Sequence, residues 1–225
     1  MKKILLSLLL TLTLVSWSSN PSQIVVHHHH YTTYYNSLLR EPDSVTWSLT
    51  SGMVSLAKVS RKDEFAQDPS IPNSATPKDY DVNGKITDKR LQIDKGHLFN
   101  YEDAMGDPID RVECFYMSNM LPQYHPFNAG DWKELEMQER TWAKTQKLYI
   151  VAGGLGTLGK LPAGENIPKF MWKAILMNGK WTVWVMLNSK TSHGHGIAYW
   201  QTTLTKFDTQ SLSSYVAQNS KYSSL

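Results

Sequence analysis

Two short stretches of the chain concentrate residue types that can move protons, hold a metal ion and bind anions. The first is Asp94-Lys95-Gly96-His97. The second begins Asn119-Met120-Leu121-Pro122-Gln123 and continues through Asn128, Gly130, Trp132, Glu136 and Arg140. Glu136 and Arg140 follow Asn128 by eight and twelve positions, so on one continuous helix all three lie close to one face. That face would present an amide oxygen, a carboxylate and a guanidinium in line. Hard oxygen donors in small number suit Mg²⁺, which keeps most of its own waters. A neutral histidine such as His97, with an ordinary pKa of about 6.5, can take a proton from water near neutrality. Arg61, Lys95 and Arg140 would surround a phosphodiester that gains negative charge in its transition state. The same residues also have a plainer reading. Asn128 is a favoured N-cap, and Glu136 with Arg140 is a helix ion pair worth about 0.2–0.5 kcal/mol. Spacing alone leaves both readings open.

The elements that must carry these residues are mostly strands. Val45, Trp47 and Leu49 alternate with Thr46, Ser48 and Thr50, the pattern of a half-buried strand that Met53 to Val59 would extend. From Arg61 to Gly84 the sequence is polar and broken by Pro69, Pro72 and Pro77, which predicts a long surface loop. Asn128 to Lys147 is the best helix, with Trp132, Leu135 and Ala143 on its buried side. Leu148 to Ala152 reads as a buried strand. Ala174–Met177 and Lys180–Leu187 flank Asn178-Gly179, the signature of a hairpin closed by a type I′ turn. One clear helix among many strands predicts an α+β fold with a mainly antiparallel sheet.

Several competing motifs are weaker. Residues 154–159, Gly-Leu-Gly-Thr-Leu-Gly, fit a dinucleotide glycine pattern, but Pro162, Gly164 and Pro168 forbid the helix whose N-terminus would bind phosphate. His193 and His195 lack the helical carboxylate partner of a zinc hydrolase, so a loop is expected there. His27 to His30 lie in a β-prone run. Adjacent strand residues alternate faces, so at most every second ring would converge on a metal, and an exposed edge strand is the default. Cys114 stands alone, which excludes an intramolecular disulfide and suits a small buried filler.

The chain has 225 residues, 41% hydrophobic and 19% charged, which excludes disorder. Lys2 and Lys3 followed by the apolar run Ile4–Val15 and a polar stretch have the layout of a secretory signal peptide, residues 1–18. About 12 apolar residues are too few to anchor the chain in a bilayer, which needs roughly 20. The remaining residues, 19–225, are expected to form one secreted or periplasmic domain. Cleavage would remove two lysines and leave 21 basic against 20 acidic residues. Basic charge would then be concentrated at a site and not spread over the surface.

Taken together, these residues resemble the DNA/RNA non-specific endonucleases, the ββα-metal family that includes secreted bacterial nucleases and mitochondrial endonuclease G. The family's Asp-Arg-Gly-His motif is matched by Asp94-Lys95-Gly96-His97. Its Asn-x-x-Pro-Gln segment is matched by Asn119, Pro122 and Gln123, and its later Asn, Trp, Glu and Arg by Asn128, Trp132, Glu136 and Arg140. Arg61, Asp68 and Tyr80 fit the segment upstream of the His motif. Val151-Ala152-Gly153, Ile167-Pro168 and Trp172-Lys173 are similar to its core strands. The resemblance covers roughly residues 24–190.

The resemblance implies a ββα-metal fold with a central antiparallel sheet flanked by helices. It also implies an Mg²⁺-dependent endonuclease, with Mn²⁺ a possible substitute, that cuts DNA and RNA and leaves 5′-phosphate ends. On this likeness His97 is the general base, Asn128 the one direct metal ligand, and Glu136 the residue that orients the ion's water. Asn119 would help position the site, while Arg61, Lys95 and Arg140 would contact phosphate and transition state. Lys95 departs from the family's Arg, exchanging a planar fork for a point charge, which predicts reduced turnover or rearranged contacts. The family's usual disulfides are absent, and the region after Leu204 matches poorly. The rival expectation is a weak or inactive nucleic-acid-binding relative with a metal site at His27–His30. A His cluster favours zinc, copper or nickel, whereas Asn128 with water favours Mg²⁺ or Mn²⁺.

Overall fold

Alternating apolar and polar residues make the strand over Glu41–Leu49, in which Val45, Trp47 and Leu49 turn inward. The computed structural model describes residues 22–56, 59–84 and 87–202, so the leader expected at 1–18 lies outside the described residues, as does the region after Leu204. Three strands come first: β1 (Gln23–His27), β2 (Tyr31–Asn36) and β3 (Glu41–Leu49). The central part of the chain supplies β4 (Ile93–His97) and β5 (Met120–Tyr124). After the long helix follow β6 (Leu148–Leu155), β7 (Gly159–Lys160), β8 (Asn166–Ile167), β9 (Phe170–Met177), β10 (Lys180–Leu187) and β11 (Gln201–Thr202).

Seven of these strands form one sheet in the order β1-β2-β3-β6-β9-β10-β11, with every neighbouring pair antiparallel. β4 pairs with β5, and β7 with β8, in two further antiparallel ribbons. The α+β architecture with a mainly antiparallel sheet is the one the sequence predicts. Asn178 and Gly179 take φ of 48° and 74°, the left-handed pair that a type I′ turn requires. Residues 170–175 of β9 and 183–187 of β10 are buried on both faces, so the sheet's centre is covered above and below. Cys114 is buried within the main core, and burial raises its thiol pKa, as befits a filler. No helix among the described residues is long and apolar enough to cross a membrane.

Four local expectations need correction. The expected extension over Met53 to Val59 does not begin as a strand, because Thr50 Oγ1 accepts a hydrogen bond from Met53 N and caps a short helix, Ser51–Val54. Asn128 is not an N-cap. The helical path starts earlier, at His125–Phe127, with Pro126 in the first turn where its missing N–H costs nothing. Asn128 itself is helical, with φ −60° and ψ −46°. It opens a π-turn, Asn128–Trp132, broken at Gly130 (φ −104°, ψ −114°), before the α-helix Lys133–Ala143. That helix ends four residues short of the predicted Lys147. Finally, the segment from Arg61 to Gly84 is irregular but not wholly on the surface. Asp68, Ile71, Ser74, Ala75 and Tyr80 are buried, and Ala75 and Tyr80 join Ile93, Met117, Met120 and Leu161 in a second, smaller core beside β4 and β5.

The glycine run at 154–159 behaves as expected. Gly154 and Leu155 finish β6, the chain turns at Gly156 (φ 68°), and the short strand β7 follows in place of a helix.

Candidate active site

The β4–β5 ribbon sets His97 opposite Met120 and Asp94 opposite Gln123. A side chain at Gly96 is impossible without movement, since a Cβ there would lie 2.2 Å from Gln123 Cδ. Glycine in the motif therefore lets the two strands close. Gln123 is itself fully buried with neither amide atom hydrogen-bonded.

His97 ends β4 in a mainly aromatic pocket. Its ring lies 5.6 Å from Phe65 and meets Phe115 edge-on at 5.1 Å. Burial, with the Arg61 guanidinium second, lowers the imidazole pKa to about 3, so the ring is neutral near pH 7. Its Nε2 is buried without a hydrogen-bond partner. Nε2 keeps a free lone pair, but in this dry wall it is a weak base until the negative charge of a bound phosphate raises its affinity for a proton.

Asp94, two residues before Gly96 on the same ribbon, organises a second group. Its Oδ2 accepts from Asn128 Nδ2 at 2.8 Å and faces His125 Nδ1 at 2.9 Å. This bond uses the amide nitrogen of Asn128 and turns the planar amide's oxygen away from Asp94. Asn128 is half-buried. One fixed neutral oxygen, held in place through its amide nitrogen, suits a Mg²⁺ ion that retains its waters, and Asn128 could hold it.

The remaining expected site residues divide. Asn119 is fully buried and touches no opening: its amide accepts from Phe99 N and donates to Phe99 O and Cys114 O, which fixes the backbone just after His97. Glu136 is also buried, and desolvation raises its pKa against the pull of Lys173, the Asn100 side chain and Arg140. Arg140 pairs with Glu102 at 2.6 Å and Asp103 at 3.3 Å, so the simple Glu136–Arg140 helix ion pair is not formed. Because of the break at Gly130, Asn128 and Glu136 do not share one regular helical face. They reach different neighbours. Among the described residues, no hydrogen bond or ion pair joins the side chains of His97, Asn128 and Glu136 directly.

Two cations flank His97. Arg61 spans Tyr101 and Phe115, 5.7 and 5.5 Å from the ring centres, and pairs with exposed Asp63. Lys95 reaches Asp81 at 2.9 Å and lies 5.5 Å from the Phe65 ring centre. Both pairings are with exposed carboxylates, which a phosphate can displace at small cost.

Sequence reasoning missed the charged layer behind the site. Lys173 and Glu139 are fully buried and 3.0 Å apart, and the Lys173 ammonium sits 4.3 Å from the Trp132 ring centre. Asp103, raised to about 6 mainly by burial, belongs to the same layer. The available signal was a lone lysine inside the otherwise apolar strand β9. Asp94 was visible in the motif, but its partners were not, because they lie 31 and 34 residues away. The loop bearing His193 and His195 packs on Gly130 and Asp131: His195 N donates to Asp131 Oδ1 at 3.3 Å, and Trp200 Nε1 to Oδ2 at 2.7 Å.

The four-histidine run departs from expectation as well. Only His27 is in β1, and it meets Thr32 at 3.1 Å. The side chain of His28 is buried against Tyr31 and Asp68. His29 and His30, though adjacent, turn toward the same acidic segment, because residues 28–30 form the turn between β1 and β2 and strand alternation does not govern them.

With this geometry in place, comparison with known proteins is informative. The profile of the DNA/RNA non-specific endonuclease family matches residues 11–222. A protein named Nuclease from Nostoc sp. is 33% identical over 138 residues, covering 59% of this chain and 47% of the relative. Mitochondrial nuclease EXOG from Xenopus laevis is 29% identical over 133 residues, covering 52% and 35%. The chain thus spans about half or less of the length of these curated relatives. The solved structure of an EndoG/EndoGI complex superposes with a TM-score of 0.66 at 26% identity, covering 79% of each chain.

Proposed function

This chain belongs to the DNA/RNA non-specific endonuclease family, and from that premise we propose that it is an exported, Mg²⁺-dependent endonuclease cutting DNA and RNA to 5′-phosphate ends. The observation that carries the reading is the pairing of two groups on one ribbon. His97 is neutral and bare at Nε2, while Asp94 on the same strand fixes the amide of Asn128.

In this mechanism the substrate phosphate displaces Asp63 and Asp81 from Arg61 and Lys95, which orient it and offset its growing charge. His97 Nε2 takes a proton from the attacking water as the water oxygen bonds to phosphorus; the bond to the 3′-oxygen breaks, and that oxygen leaves with the bonding pair and takes a proton from solvent. Asn128 would hold Mg²⁺ through its amide oxygen, and the ion supplies charge stabilisation for the transition state and the leaving oxygen. Glu136 would orient water from behind this site, and Arg140, held by Glu102 and Asp103, would act through position and charge. Asn119 acts on backbone alone. Export rests on the layout of residues 1–18. Contacts confined to phosphate carry no sequence information, which suits a non-specific enzyme.

The decisive experiment incubates the protein with supercoiled plasmid and with RNA, in Mg²⁺ and in EDTA, beside folded His97→Ala. Cleavage in Mg²⁺ that disappears in EDTA and in the variant supports the mechanism. Undiminished cleavage by His97→Ala would overturn the assignment of the base. Folded wild-type protein that binds DNA yet leaves it intact would mean a binding scaffold in place of an enzyme.

A further inference from the structure

The turn between β1 and β2 brings two histidines against two aspartates nearly eighty positions away in the sequence. His29 Nδ1 lies 3.4 Å from Asp107 Oδ1 and 3.3 Å from Asp110 Oδ1, and His30 Nδ1 lies 2.5 Å from Asp110 Oδ2. One ligand atom from each of the four falls within 4.8 Å of all the others. Asp110 is 1% exposed, and its Oδ1 accepts no hydrogen bond although it points into this group. A buried carboxylate oxygen without a hydrogen bond, 3.3 Å from the His29 ring nitrogen while its twin oxygen meets His30, is chemistry a cation would complete.

From this we propose a second metal site, in which His29, His30, Asp107 and Asp110 bind one zinc ion as a closed four-ligand centre. Two nitrogens and two carboxylate oxygens suit Zn²⁺ and exclude the all-oxygen preference of Mg²⁺ and Ca²⁺. Bonds of about 2.0–2.1 Å in a tetrahedron separate ligand atoms by about 3.3 Å, which the two His29 separations match and to which the 2.5 Å His30–Asp110 contact would have to open. With all four positions taken by protein, the ion is structural. It ties the β1–β2 turn to the segment entering Asp110–Glu113, and from there the chain runs directly into Phe115, whose ring packs against His97. The site is separate from the Asn128 group and does not depend on the proposed nuclease mechanism.

The test strips the full chain with EDTA and titrates it with ZnCl₂, following stoichiometry by calorimetry and stability by thermal unfolding. We expect one saturable site, a rise in Tm with Zn²⁺ but not with Mg²⁺ or Ca²⁺, and a four-coordinate cobalt spectrum on Co²⁺ substitution. His29→Ala/His30→Ala, at exposed positions and checked for folding by circular dichroism, removes that site. Asp107→Asn/Asp110→Asn keeps the histidine run and should weaken binding at least tenfold. Undiminished zinc binding in the aspartate variant would mean that the histidine run alone captures metal. Binding retained without His29 and His30 would place the ion elsewhere. Absence of saturable binding, or an equal response to Ca²⁺, would equally overturn the site.

Discussion

Trp132 Nε1 donates a hydrogen bond to the main-chain carbonyl of His97 at 3.3 Å. The bond joins the start of the long helix to the end of β4, so the residue proposed as base is held through its backbone by the element that follows Asn128. Trp132 is fully buried and its ring also faces the Lys173 ammonium. One indole thus couples the reacting ribbon, the helix and the charged layer behind them.

Replacing that indole by Trp132→Phe should leave a folded protein with a looser His97. A neutral buried hydrogen bond contributes about 0.5–1.5 kcal/mol, so kcat should fall by about two- to thirteenfold at most, with KM nearly constant. Steady-state kinetics on a short duplex checks this. A change confined to KM would mean that Trp132 shapes substrate binding instead.

Acid should destabilise the protein through His97. Unfolding releases the ring from burial, and its pKa rises from about 3 to an ordinary value of about 6.5. Above that upper value neither state binds the proton. Between the two values the unfolded chain takes up a proton that the folded protein refuses, so stability falls as pH falls, by up to about 1.36 kcal/mol per unit. Buried Asp103, raised to about 6, and Glu41 and Glu139, raised to about 8, contribute with the opposite sign. The comparison is therefore made with His97→Gln, by urea unfolding at about pH 6.5 and about pH 4.5. The variant should lose less stability over that interval, and parallel declines would refute the assignment.

Gly96→Ala tests the close approach of β4 and β5. The added methyl would meet Gln123 Cδ at 2.2 Å, and Gln123 is packed on all sides. Overpacking of this kind costs about 1–3 kcal/mol and should shift His97 at the strand end. Reduced Tm together with lost cleavage is expected. Pairing it with Gln123→Ala, which opens the space, should recover part of the stability.

The Lys173–Glu139 pair offers a fourth test. Both side chains are fully buried, with Nζ 3.0 Å from Oε1. Lys173→Met strands a carboxylate in a dry interior and should cost about 3–5 kcal/mol, whereas Lys173→Met/Glu139→Leu should return close to the parent stability. Denaturant titration of the three proteins decides it. If the double variant were as unstable as the single one, packing and not charge would explain the loss.

Much of this architecture was legible because it rests on local patterns. The period-two burial of Val45, Trp47 and Leu49 and the Asn178-Gly179 turn follow from pleat geometry and from left-handed backbone preference, both encoded within a few residues. Asp94-Lys95-Gly96-His97 was visible as a motif for a similar reason. What escaped depends on distant partners or on a phase break. The interruption at Gly130 invalidated helical spacing as a guide to where Asn128 and Glu136 point, and no periodicity rule signals a π-turn. Asn119 looked like a site residue, yet its three hydrogen bonds are to backbone. His29 and His30 escaped because their aspartates lie across the fold, and because a turn, unlike a strand, allows neighbours to face one way.

The clasp made by Asn119 has an evolutionary consequence. Its amide grips the chain at Phe99 and again at Cys114, so everything between those points is an excursion whose two ends are already tied. Once ends are fixed, lengthening such a loop is thermodynamically inexpensive, about 0.6 kcal/mol for each doubling. An insertion at the exposed Pro108 and Ile109 would leave His97 in register and spare the buried Tyr101, Asp103, Ala104 and Met105, so new surface could be added at that point without rebuilding the reacting ribbon.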